Sequence, residues 1–171
     1  PPPNSMVKTV LCVVQSKEYF KYVIKILKTL AKDQTIIYVT TNKPYESLRN
    51  LINQEKIKYR LMIVYCISKQ IATQIKDVPD CIYLNSPQNV TGMGIALNKL
   101  TSNIPGKKTV IFDSLSAMLI YNHENVIGKF SNFIMSYLRT KETNTVMLVL
   151  ETDIDKNVIK VIESMVDEVK E

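Results

Sequence analysis

Glycine is scarce in this sequence: four residues in 171, and none before Gly92. A phosphate-cradling loop of the form G-x-x-x-x-G-K-[ST] needs glycine so that backbone N–H groups can approach the anion closely. No such loop can be written here, because the first strand candidate runs through Gln15-Ser16-Lys17-Glu18 straight into a helical stretch. Histidine is limited to His123, in a polar turn beside Glu124, where it reads as a surface residue. With three cysteines and no C-x-x-C pair, a zinc site lacks ligands at any usual spacing, and no metal is expected. Cys12, Cys66 and Cys81 are odd in number, far apart and set in or beside apolar runs, so buried free thiols are expected in place of a disulfide framework. Cys12 falls inside a strand candidate and not at a helix start, which argues against thiolate chemistry, and no G-x-S-x-G elbow presents a serine. Apolar runs stop short of the roughly 18 residues that a membrane span needs, and no charged segment followed by a hydrophobic leader opens the chain. A cytoplasmic protein is expected.

What is present describes one globular unit. Hydrophobic residues make up 46% of the chain and charged residues 22%, enough apolar material for a core and far from the profile of disorder. Pro1 to Ser5 read as a tag remnant or loose tail, since consecutive prolines join neither a helix nor a central ladder, and residues 6–171 read as a single domain. The formal net charge is +6. Lys17, Lys21, Lys25, Lys28 and Lys32 are strung along one helical stretch and do not cluster with Arg49, Arg60 and Arg139, so they read as a solvated face, and nucleic acid is not the favoured partner.

Short β-branched runs alternate with stretches of helical period, the pattern of parallel strands joined by crossover helices. Strands are expected at Thr9 to Val14, Thr35 to Thr40, Leu61 to Ile67, Cys81 to Leu84, Lys108 to Phe112 and Thr145 to Leu150. Tyr19, Phe20, Val23, Ile24, Ile26, Leu27 and Leu30 form an amphipathic stripe after the first strand. Further helices are expected after Pro44, from Lys69 to Lys76 behind a Ser68 cap, from a Thr91 cap through Leu100, after His123, and from Asp155 to Met165. Gly92 and Gly94 read as sites of close helix-to-sheet packing. The fold class is therefore three-layer α/β with a doubly wound, mainly parallel sheet.

In such sheets ligands bind outside the carboxyl ends of the strands. The residues there are Gln15, Ser16 and Lys17, then Thr41, Asn42 and Lys43, Ser68, Asn85 and Ser86, Asp113 and Ser114, and Glu151, Thr152 and Asp153. The run V-I-F-D-S ending in Asp113 and Ser114 has the form of a Walker B strand, whose carboxylate positions magnesium through water on a triphosphate. Its alternative role is an ordinary cap on the following helix.

Four stretches carry a resemblance: Thr35 to Leu51 (TIIYVTTNKPYESLRNL), Ser86 to Ala96 (SPQNVTGMGIA), Val110 to Asn122 (VIFDSLSAMLIYN) and Val146 to Glu151 (VMLVLE). In unbroken order they resemble archaeal KaiC and RecA-like proteins, in particular paralogues that have lost the phosphate loop. The D-S-L-S-x-x-L-x-Y-N segment is the most specific. The resemblance implies a RecA-like core, with Asp113 at the Walker B position and Thr41 and Asn42 where a pair of catalytic glutamates would stand. It implies a pseudo-ATPase without catalytic residues, acting in archaeal signalling by binding a protein partner or itself, and no cofactor is expected. The alternative is a regulator that holds nucleotide without turnover, through Gln15, Ser16, Lys17, Asp113 and Ser114. Weak nucleic-acid binding is a third reading.

Overall fold

The computed structural model describes residues 7–30, 32–41, 43, 45–57, 60–66 and 79–171. Ser68 and the helix expected from Lys69 to Lys76 lie outside the described residues, as do Pro1 to Ser5, Asn42 and Pro44. The strands are β1 (Thr9–Val14), β2 (Thr35–Thr40), β3 (Arg60–Cys66), β4 (Cys81–Leu84), β5 (Lys108–Asp113), β6 (Asn144–Leu150) and β7 (Glu168–Lys170). The helices are α1 (Tyr19–Leu30), α2 (Tyr45–Gln54), α3 (Val90–Asn103), α4 (Leu115–Tyr121), α5 (Glu124–Thr140) and α6 (Asn157–Met165).

Among the described residues, seven strands form one parallel sheet in the order β4-β3-β2-β5-β6-β1-β7. Side chains alternate between its faces, as a pleated strand requires. Val10, Cys12, Ile36, Tyr38 and Ile63 pack with Val23 and Leu27 of α1 and Leu48 and Ile52 of α2. Leu11, Ile37, Val39, Val110 and Phe112 pack with residues of α3, α4, α5 and α6, among them Leu97, Met118, Ile134 and Ile159. The result is a three-layer, doubly wound α/β core, the architecture expected for a RecA-like domain. The helices change faces because the chain walks one way from β1 to β3 and the other way after β4, and right-handed crossovers put those two directions on opposite faces.

Three local expectations change. Asn89, not Thr91, caps α3: its side chain accepts from the Gly92 N–H at 2.8 Å. Gly92 serves that cap and not the sheet, since a Cβ there would come within 2.4 Å of the Asn89 side chain, whereas a Cβ at Gly94 would meet nothing within 4 Å. The last helix begins at Asn157, after a short 3-10 turn at Glu151–Asp153.

The three cysteines are free and buried, as their apolar neighbours imply. Burial pushes the Cys66 thiol up to about 12 and the Cys81 thiol up to about 11, from 9.0 when exposed. The folded state thus keeps both protonated where the unfolded chain loses its protons. Stability should be intact below about pH 9 and fall as pH rises toward 11 to 12, by about 1.4 kcal/mol per pH unit for each thiol. Urea unfolding midpoints measured in steps from neutral to alkaline pH check this, and a flat profile across that range would refute it.

Candidate functional site

The carboxyl ends of β1, β2, β4, β5 and β6 hold the sequence candidates among the described residues, and strand order decides which of them meet. β6 lies between β1 and β5, and β2 lies on the other side of β5. Asp113 ends β5 opposite Thr40, two residues beyond the Tyr38 and Ile111 pair. It is 2% exposed. Its two carboxylate oxygens are taken by two phenols: Tyr19, the first residue of α1, donates to Oδ1, and Tyr38, in the middle of β2, donates to Oδ2. Burial, and after it the Asp113 charge and hydrogen bond, push the Tyr19 hydroxyl well above its ordinary value, while a hydrogen bond with Ser114 pulls the other way. Tyr19 therefore stays protonated and remains a donor. Buried carboxylates are held by such donors because an ionised group without them is costly in an apolar interior.

The Asp113-Ser114 peptide is cis. Ser114, and not Asp113, caps the next helix: its Oγ accepts from the Ala117 N–H at 3.1 Å. The other polar residues of the D-S-L-S-A-M-L-I-Y-N segment also make structural contacts. Ser116 Oγ accepts from the Leu150 N–H at 2.9 Å and ties α4 to the end of β6. Asn122 Nδ2 donates to the Pro87 carbonyl at 3.2 Å and the Met118 carbonyl at 2.9 Å, fastening the β4–α3 loop to the end of α4. Gln88 strengthens the same junction by donating from Nε2 to the Tyr121 carbonyl at 2.9 Å. Two stretches of the resemblance, Ser86 to Ala96 and Val110 to Asn122, are thus in contact through backbone carbonyls.

Gln15, Ser16 and Lys17 are placed differently. They are exposed, and Ser16 and Lys17 open a 3-10 turn stabilised by the Glu18 N–H donating to the Gln15 carbonyl at 3.0 Å. Asp113 and Ser114 are joined by Tyr19 and not by Lys17. A cavity of about 340 Å³ beside Ser114 is lined by Ser116, Leu119, Ile120, Leu150, Asp153 and Lys156, with Lys156 3.7 Å from Asp153. Asp113 and residues 15–17 are not in its lining. Thr41, at the position the resemblance gives to a catalytic glutamate, is buried, and its hydroxyl has no hydrogen-bond partner among the described residues. His123 is exposed at the N-cap of α5.

Tyr19 and Tyr38 are the site residues that the sequence reading missed. Both fall in apolar patterns, one on the stripe of α1 and the other in a buried strand. The available signal is chemical: a tyrosine in an interior run carries a hydroxyl that needs a partner. No protein-family model matches this chain, and no curated protein matches it.

Proposed function

We propose that this chain is a non-hydrolysing RecA-like module, related to the KaiC group, that acts by binding a protein partner or a second copy of itself. The observation that carries this reading is the closure of Asp113. A Walker B carboxylate works by presenting its oxygens to metal-bound water, and here both oxygens accept from tyrosines of the same domain. The segment after β1, where a phosphate loop would sit, lacks glycine and forms an exposed 3-10 turn. A binding role is further supported by the surface. Ile95 and Phe133 are 65% and 59% exposed and flank a groove between α3 and α5 with no charged residue in its lining. Contiguous apolar surface of this kind marks contact sites for other proteins.

The test is thermal denaturation of the wild type and of Tyr19→Phe, each with and without ATP and magnesium. Tyr19→Phe keeps the ring and removes the donor to Oδ1. A ligand at a hundredfold its Kd adds about 2.7 kcal/mol to the folded state, a rise of several degrees for a domain of this size. No rise is expected for the wild type. A rise in the wild type would replace this reading with the nucleotide-holding regulator, and a rise only in Tyr19→Phe would identify Tyr19 as the group that closes a nucleotide site.

A further inference from the structure

The parallel sheet has a second end. Lys8 precedes β1, Gln34 precedes β2, Lys107 precedes β5 and Asn144 begins β6. All lie at the amino ends of the strands, away from Asp113. On the face that carries α1, these residues border a cleft of about 440 Å³, within the range of about 300–1,000 Å³ usual for small-molecule sites. Tyr22, Lys25 and Ile26 of α1 form one wall and Glu168 and Lys170 of β7 the other. Buried Val10 and Cys12 of β1 and Val146 of β6 make much of the floor apolar, beside the buried Thr109 and Thr145.

Charge around this floor has one dominant sign. Lys8, Lys25, Lys107 and Lys170 line the cleft against a single acid, Glu168. Lys107 also faces Asp33 at 3.6 Å, an exposed pair of small worth. Lys8, Lys25 and Lys170 make no ion pair among the described residues. The four lysines are exposed at the rim, and with Glu168 and the Lys107–Asp33 pair counted the cleft keeps an excess of positive charge that an anion would offset. The apolar floor adds a second requirement, since a bare inorganic anion would leave it wet. A neutral apolar body would bury the floor and leave the ammonium groups without a counter-charge.

We propose that this cleft binds a small amphipathic anion: an alkyl or aryl body seated on Val10 and Val146, carrying one carboxylate or phosphate toward the lysines. The site is independent of the Asp113 end and stands whether or not the nucleotide reading holds. Anilinonaphthalene sulfonate, which joins an aromatic body to one anionic group, is a direct fluorescent probe. The expected result is saturable fluorescence that octanoate or octyl phosphate displaces, while octanol and inorganic phosphate do not. The relative strength of octanoate and octyl phosphate then distinguishes a carboxylate from a phosphate head group.

Lys25→Glu combined with Lys170→Glu should weaken the probe about tenfold, because two exposed charges at the cleft are reversed. Both lysines are exposed, so the melting temperature should be held. Val161→Ser, at an exposed apolar position of α6 outside the lining of the cleft, should leave the affinity unchanged. Non-saturable fluorescence, equal affinity in the double variant, equal displacement by octanol, or loss of binding in Val161→Ser would each overturn the proposal.

Discussion

Asp113→Ala lowers the stability of the domain by about 3 kcal/mol, the combined cost of depriving the buried Tyr38 donor and the half-buried Tyr19 donor of their acceptor at about 1–3 kcal/mol each, the larger share falling on Tyr38. The site explains the size of the effect. Asp113 is 2% exposed, Tyr38 is fully buried, and Tyr19 is the residue that starts α1. Removing the carboxylate therefore loosens the attachment of α1 to the carboxyl end of β5 and leaves a small void at the centre of the sheet edge. Asp113→Asn, which keeps the size and one acceptor oxygen, should cost less than half as much. The check is equilibrium urea unfolding of the three proteins, with the slope of the transition required to stay constant so that midpoints can be compared. An alanine variant as stable as the wild type would mean that the two phenol contacts contribute nothing net. This expected loss also bears on function, since a variant weakened in its fold is a poor probe of nucleotide binding. Tyr19→Phe opens one carboxylate oxygen at smaller structural cost.

Phe112→Ala is expected to cost about 3–5 kcal/mol, the usual range for emptying a buried aromatic site. Phe112 is 1% exposed and lies on β5, the central strand of the seven. Its backbone is paired with Val39 on one side and Met147 on the other. Its ring meets Phe130 of α5 edge to face, with centroids 6.0 Å apart and planes at 84°, a geometry worth about 0.5–1.5 kcal/mol beyond area burial. The void would open between the sheet and α5, where strands on both sides prevent collapse. Phe133→Ala, on the outer surface of the same helix at 59% exposure, should cost much less. Similar losses at the two positions, measured by denaturant unfolding, would refute the assignment of Phe112 to the load of the core and Phe133 to the surface.

Much of the fold was legible because its determinants are local. The strands at Thr9–Val14, Thr35–Thr40 and Cys81–Leu84 have the bounds that their β-branched and apolar runs suggest. The inner stripe of α1 is real in Val23 and Leu27. Two elements were not legible. α4 follows β5 after a single residue, so Leu115–Tyr121 reads as more of the same apolar run, and only the Ser114 cap marks the change. β7 is three residues, Glu168–Lys170, with two charged side chains and little strand propensity; it exists through its pairing with β1. A segment that short gains its order from a neighbour more than 150 residues away in the chain.

The candidate site divides along the same line. Asp113 and Ser114 could be found from the run that precedes them, because a carboxylate at the end of a buried strand is visible in any α/β sequence. The scarcity of glycine after β1 was equally plain. By itself, then, the sequence determined the layering, the faces of the helices and the place where a carboxylate would emerge, since these follow from side-chain period and propensity. Only the tertiary structure decided what that carboxylate does. The placement of β6 between β1 and β5 and of β2 beside β5 brings Tyr19 and Tyr38 to Asp113 across 94 and 75 residues of sequence. It also gathers lysines from before β1, along α1, before β5 and on β7 around one cleft. Strand order is set by the sum of non-local packing, and no local pattern of residues encodes it.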